Sequence, residues 1–446
     1  MFRLNRRRTL QGLGAALAGT TMLGRWNPAA AKLAVASPTP PDYPIEKGAK
    51  LRVLRPSKFV QGDEDLFNAN TKKFTDQTGV QVTVDNQSWE DLRPLTSVSA
   101  NVGSGPDVVL AWQEDPQLFS DKLLVLNDLA DYLGKKYGGW FPVAEVYGKS
   151  AQTKDWVALP FGGGGATMVY RGSWLKAAGF DGVPKDFPGF LELCKALQKD
   201  KHPAGFALGH AVGDSGWTDW VLWGHGGALI DEQSHVILNS PETIKALNYA
   251  AELYKTFIPG TLSWLDPSNN KAFIAGDLGL TSNGISIYYA CKTSKDAKTK
   301  ALADDIQHAS YPIGPVGFPT QGVLVINAII FKYTPYPNAA RQYLRFMLEE
   351  EQYAAWQEAS LGYWCHALQA YDKNPVWTAD PKATPYRDVM RNALPQSYKG
   401  PPSEASAAVK ADFVTVDMFQ SVCVGQSTAE DAAAEAERRA KRYYRS

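Results

Sequence analysis

The chain has 446 residues, too many for one compact core, and points to two lobes or two to three domains. It is 44% hydrophobic and 21% charged, with 46 basic and 46 acidic residues, the profile of an ordinary globular protein. Five arginines and no acid fall in the first 31 residues, so removing that segment leaves 41 basic against 46 acidic residues. That balance gives no electrostatic case for nucleic acid or for an anionic membrane surface.

The N-terminus reads as an export signal: Arg6-Arg7-Arg8, a Gly/Ala/Leu run over 12–24, then Ala29-Ala30-Ala31. Consecutive arginines before a weakly apolar core resemble a twin-arginine signal. Thr9 stands where Phe is usual, so the Sec route stays open as well. Cleavage is expected near Ala31 or, at a second small-residue site, near Ala36. No Cys ends the segment, which argues against a lipid anchor. No later stretch reaches the ~20 apolar residues that span a bilayer. Cys194, Cys291, Cys365 and Cys423 form no C-x-x-C pair, and the six histidines show no metal-ligand spacing.

Residues 37–50, rich in proline, are expected to be an extended tether. Leu51-Arg-Val-Leu54 reads as a strand ending in a loop that carries Lys58 and Phe59. Apolar residues at helical spacing predict a helix over 65–78, stopped by Gly79. Alternation predicts a strand over 80–84, and a helix over 89–102 begins with Trp89. Gly105-Pro106 then breaks the chain before Val108-Val-Leu-Ala111, an all-apolar run expected to be a strand buried on both faces. Trp112, Gln113, Glu114 and Asp115 follow where that strand stops. In an open parallel sheet ligands bind beyond the carboxyl ends of the strands, so this tip has the composition of a ligand floor. The competing reading makes Trp112 a core residue capping the sheet. The first 115 residues thus give β-α-β-α-β, a parallel sheet with crossover helices.

The run 72–84, the motif Gly105-Pro-Asp-Val-Val-Leu-Ala-Trp112, Leu126-Asn-Asp-Leu129, Ala158-Leu-Pro-Phe161, Leu280-Thr-Ser-Asn-Gly284 and Ser360-Leu-Gly362 follow one another in order. Together they resemble the extracellular solute-binding proteins of ABC importers, in the sugar-binding group that includes the maltodextrin-binding protein. That resemblance implies an α/β, two-lobe periplasmic-binding-protein fold of type II, with a hinge that the chain crosses several times. It places a signal at 1–36, a linker at 37–50, the first lobe at 51–159 and 314–361, and the second at 160–313 and 362–446. The implied partners are a carbohydrate and the membrane permease, which would be its only link to the membrane. The protein is expected to be a periplasmic monomer without a cofactor.

Within that frame 156–161 looks like the first crossing strand, followed by four glycines at 162–165. These lack the Lys-Ser/Thr of a phosphate loop. Gly164 is therefore taken as a place of close backbone approach to a ligand, or simply of a flexible crossover. The maltodextrin-binding protein has a ligand carboxylate about here, so the sugar contacts should differ. Helices are expected over 173–178, 187–199 and 241–257. Trp217, Trp220 and Trp223 sit three apart behind Ser215, an expected helix cap. Trp217 aligns with the family's stacking aromatic, while the other two read as core. The loop 260–270 offers Trp264 and Asp266, and the end of a strand over 278–281 offers Asn283 and Gly284. Tyr288-Tyr289 resembles the tyrosine pair of ferric-ion binders but reads more simply as structure. The stretch 311–321 looks like the return crossing, 322–331 a strand, 338–359 a helix. Tyr363 and Trp364 occupy the last crossing; Cys365-His366, being adjacent, cannot easily orient on each other as nucleophile and base. Ser427-Thr-Ala-Glu430 reads as a capping box opening a terminal helix.

The expected cleft therefore joins Lys58, Phe59, Trp89, Trp112 and Asp115 to Trp217, Trp264, Asp266, Asn283, Gly284, Tyr363 and Trp364, with Gly164 at the crossover. Sugar C–H faces stack on flat rings, and their hydroxyls need planar polar partners. The rival classes are an exported carbohydrate-active enzyme using paired carboxylates, such as Asp115 with Asp214 or Asp266, and a scaffold with no small ligand.

Overall fold

The computed structural model describes residues 32–165 and 167–444. The export signal at 1–31 lies outside them, apart from the alternative cut at Ala36. Strand β1 (Lys50–Pro56) lies parallel to β2 (Gln81–Gln87) on one side and β3 (Val108–Trp112) on the other. The helices Gln61–Thr78 and Trp89–Val102 make the crossovers. Gly79, at φ 76°, ends the first in a left-handed cap where a side chain would be strained, and Ser88 caps the second by accepting the Asp91 N–H.

Further along come β4 (Leu159–Gly164), β5 (Thr167–Arg171), β6 (Leu280–Asn283), β7 (Ile306–Ala309), β8 (Leu324–Ile330) and β9 (Trp364–Cys365). They complete two sheets, one ordered β2-β1-β3-β8-β4-β9 and one ordered β6-β5-β7. Within the larger sheet β8 runs antiparallel to both β3 and β4. All five residues of β3 are buried, as an apolar run in the middle of a sheet must be.

Two buried clusters fill the interior. One gathers Val53, Leu110, Ile329, Trp356 and Trp377. The other gathers Phe190, Phe206, Trp217, Trp220, Leu247 and Phe419. Strand β5 serves both, with Met168 in the second cluster and its neighbour Val169, on the opposite face, in the first. The chain passes between the sheets from β4 to β5 and again from β7 to β8.

The chain does not change cluster at the expected boundary 361/362. Tyr363, Tyr371, Trp377, Tyr386 and Met390 pack in the first cluster, Leu394 and Tyr398 pack against the second, and residues from Val409 to Ala440 are buried within it. Nor is 37–50 a free tether. Tyr43 and Ala49 are buried, and the Glu46 carboxylate accepts the N–H groups of Asn338 and Ala339 at the start of the helix Pro337–Leu348. Leu33, upstream of the alternative cleavage site, is buried with its N–H bonded to Glu350 at 2.9 Å.

Smaller departures have local causes. The helix expected over 338–359 breaks at Glu349, whose carboxylate is held by Lys136, Tyr132 and Tyr137. Ser215 does not cap; its hydroxyl turns back to the Ala211 carbonyl. The last helix is capped by Thr428 rather than Ser427. All four cysteines are unpaired. Among the described residues, no helix is long and apolar enough to cross a membrane.

Candidate functional site

The carboxyl end of β1 releases Ser57, Lys58 and Phe59; that of β3 releases Gln113; that of β6 ends in Asn283. These ends meet the loop 212–216, the start of β8 and Tyr363 around one cleft, which encloses about 800 Å³ including open solvent.

Its first wall is aromatic. Trp89 lies edge-on to Phe59, with ring centres 4.8 Å apart, and its indole N–H donates to the Ser57 carbonyl at 3.0 Å. Behind it stand two further indoles, Trp112 at 4.9 Å and Trp364, stacked at 5.9 Å with an interplanar angle of 14°. Tyr363 packs on Trp364 and approaches Phe59 at 6.3 Å. Each such pair contributes roughly 0.5–1.5 kcal/mol beyond area burial, so the wall is rigid before any solute arrives.

The second wall is polar. Asp266 is buried and fixes the loop before it: one oxygen accepts the Val212 N–H at 2.8 Å, the other those of Gly213 and Asp214 at 2.8 and 2.9 Å. Burial pushes the Asp266 carboxyl up, and the three N–H donors pull it back. Asp214 beside it is pushed well above the usual carboxylate range, by burial first and then by the Asp266 charge. Its Oδ2 is buried without a partner. Asp219 is held by Lys410 at 2.6 Å. The Ser282 hydroxyl pairs with Tyr311, and burial raises the Tyr311 phenol. Gln113 closes the floor, its Oε1 accepting the Val325 N–H of β8 at 2.8 Å.

Of the residues singled out from sequence, Phe59, Trp89, Gly164, Asp266, Asn283, Gly284 and Tyr363 line this cleft. The Asn283 side chain accepts the Gly284 N–H and donates to Asn270. The others lie elsewhere. Trp112 and Trp364 are buried behind Trp89 and reach the cleft only through it. Asp115 is fully buried, accepting from Arg93 at 2.8 Å and from the Trp112 N–H at 2.9 Å, which makes it a brace for the turn after β3. Lys58 pairs with Glu64. Trp264 packs against Gly205.

Trp217 is the largest correction. It is 1% exposed, donates its indole N–H to the Ala207 carbonyl at 2.7 Å and packs among Phe206, Phe257 and Phe419. A helix that starts inside a core buries its first residue, whatever its chemistry. The expected stacking of tryptophans from both lobes against one opening is therefore not the arrangement found. Aromatic rings come from one side, and the loop 212–216 supplies polar groups from the other.

The glycine run also resolves. A Cβ on Gly162 would sit 2.7 Å from the Cys365 carbonyl oxygen, and one on Gly165 2.5 Å from the Tyr386 ring, so these positions serve close packing at the crossover. Only Gly164 and Gly165 also face the cleft. Tyr288 and Tyr289 part ways, one hydroxyl donating to Asp380, the other accepting the Gly62 N–H. Among the described residues no cluster of three His, Cys, Asp or Glu could hold a metal ion.

The sequence reading missed Asp219, Tyr311, Gln396 and Lys410, which also line the cleft; Ser282, at the end of the strand that offers Asn283 and Gly284, lines it with them. Gln396 donates its backbone N–H to the Tyr147 hydroxyl at 3.0 Å, and Lys410 lies on the helix Glu404–Ala411. Nothing local in the sequence marks either, because both reach the cleft from the segment after the last strand.

Residues 69–385 match the family model described as bacterial extracellular solute-binding protein. A curated relative, a probable ABC transporter-binding protein of Deinococcus radiodurans, is 22% identical over 54% of this chain; the chain spans only half of that relative's length. Among solved structures, a maltose-bound T. maritima MalE3 is similar at TM-score 0.77 and 20% identity, over 88% of this chain and 99% of that one. A sugar transporter protein of Arthrobacter chlorophenolicus A6 with laminaribiose gives 0.74 at 18% identity, over 88% and 99%. A solute-binding protein of Agrobacterium vitis S4 with D-mannitol gives 0.71 at 17%, over 89% and 99%. At these identities the likeness establishes the two-lobed fold.

Proposed function

Given that this chain belongs to the bacterial extracellular solute-binding proteins, we propose that it is the exported capture component of an ABC importer for a carbohydrate, from monosaccharide or polyol to oligosaccharide. The observation that carries this reading is the two-faced cleft. Phe59, Trp89 and Tyr363 offer ring faces for C–H surfaces, and Asp214, Gln113, Ser282 and Asn283 offer acceptors and donors for hydroxyls. The saccharides and polyol held by the similar structures support the same class.

Closure follows from where the walls are attached. The aromatic wall hangs on β1, β3 and the helix after β2, and the polar wall on elements of the smaller sheet and its core. A solute touching both has more contacts in the closed state and so shifts the hinge equilibrium toward it, the motion general to periplasmic binding proteins. The permease would then read the closed shape. Work as a periplasmic monomer, with cleavage after Ala31 so that the buried Leu33 is kept, completes the proposal.

The enzyme reading fares less well on geometry. Asp266 has both oxygens engaged by backbone N–H groups, and Asp115 is locked to Arg93 outside the cleft, so neither is placed to work with Asp214 as acid and base. Titration of the purified protein with mono-, di- and oligosaccharides and polyols, followed by tryptophan fluorescence and thermal shift, tests the proposal. A one-to-one saturable signal with a raised melting temperature is expected; at 100 times Kd the gain is about 2.7 kcal/mol. Release of reducing ends, or silence across the whole panel, would overturn it.

A further inference from the structure

The cleft carries more negative charge than its own cations neutralise. Among the described residues Lys410 is the one basic residue lining it, and it is engaged with Asp219. Asp266 remains, and Asp214, which burial and the Asp266 charge push toward its protonated form, becomes a second charge once a cation sits against it. The three N–H donors at Asp266 satisfy its hydrogen bonds without cancelling its charge, and Asp214 Oδ2 has no partner among the described residues. Glu90, adjoining Trp89, lies within electrostatic reach of Asp266 and has its own buried Oε1 unpartnered. Basic residues on the neighbouring elements are already committed: Lys58 to Glu64, Arg93 to Glu114 and Asp115, Arg55 to Asp63.

Facing these acids are the rings of Phe59, Trp89 and Tyr363, whose electron-rich faces attract cations. A neutral polyol can give Asp214 a hydrogen bond, yet it buries the excess charge more deeply by displacing water. An ammonium group supplies the hydrogen bond, cancels a charge and sits well against aromatic faces. Building on the carbohydrate reading, we propose that the solute is an amino sugar or amino polyol whose protonated amine is seated against Asp214.

Calorimetric titration of the exported protein with matched pairs decides the matter: D-glucose with D-glucosamine, D-galactose with D-galactosamine, maltotetraose with the amine-containing acarbose. Putrescine serves as an amine without a sugar. The amine member of at least one pair should bind about tenfold tighter than its neutral partner, and Asp214→Asn, which keeps shape and removes charge, should bring the two within about twofold. Should D214N fail to fold, Glu90→Gln takes its place, with the amine preference expected to fall at least about twofold. Neutral members binding as tightly as amines in every pair, or a preference untouched in the variant, sinks the amine assignment and leaves carbohydrate capture standing. Putrescine outbinding every saccharide upholds the amine and removes the sugar. No response to any compound overturns both.

Discussion

Two tryptophan clusters of the same size do opposite jobs in this molecule. Trp89, Trp112 and Trp364 come from three separate segments and meet at the carboxyl edge of the larger sheet, with Trp89 facing the cleft. Trp217, Trp220 and Trp223 come from one helix, and all three are interior. Trp217 and Trp220 give their indole N–H groups to the carbonyls of Ala207 and Pro312. A dense run of tryptophans in sequence thus marks a core, whereas scattered ones that end strands or start helices at a sheet edge mark a wall. What separates the clusters is position relative to strand ends, and composition does not report it.

The strongest way to break this comparison is Trp217→Ala. As a core truncation it should cost about 3–5 kcal/mol in denaturant unfolding while the folded fraction keeps its solute affinity. Lost affinity with intact stability would return Trp217 to the site. Next comes Lys410→Met, which strands the nearly buried Asp219 carboxylate and should cost about 3 kcal/mol in the same assay, with affinity falling too because the residue lines the cleft. Phe59→Ala is the counterpart to the core change. Half-buried Phe59 should lose about tenfold in affinity, about 1.4 kcal/mol, with a smaller loss of stability, as read by fluorescence titration beside urea melts.

The smallest effect has a sign worth fixing in advance. The folded-state pKa of Asp214 is raised by burial, so its contribution to stability is full below the usual carboxylate range and is lost as pH rises through the folded value. Asp214→Asn should therefore be slightly more stable than the native protein near neutral pH. The gain should vanish below about pH 4, and unfolding curves taken across that window check it. A native protein that gains stability relative to the variant as pH rises would show the carboxylate to be stabilised by something else.

Much of the first lobe could be read directly. The 3.6-residue spacing ending in Gly79, the alternation before Gln87 and the apolar run of β3 are local signals, and the structure obeys them. Phe59, Gln113 and Asn283 were reachable by one rule, that ligands gather beyond strand ends. Trp217 was misplaced because its position was carried over by resemblance, while the ring has Phe206, Phe257 and Phe419 to fill against. Asp115 looked like a free acid at a loop tip, and its partner Arg93, a turn into the preceding helix, was invisible without coordinates. The contributions of Gln396 and Lys410 depend on tertiary docking of a late helix, and no periodicity encodes which loop it will meet.

That late segment also sets a limit on how the molecule can be cut. Gln396 is tied to Tyr147 of the first lobe, while Lys410, fourteen positions on, is tied to Asp219 of the second. A protein ended after Asn392 would keep every strand yet surrender both tethers and an edge of its own binding chamber. Shortened versions, reporter fusions and crystallisation variants should therefore run past Lys410, and any probe attached between these two anchors will feel the hinge move.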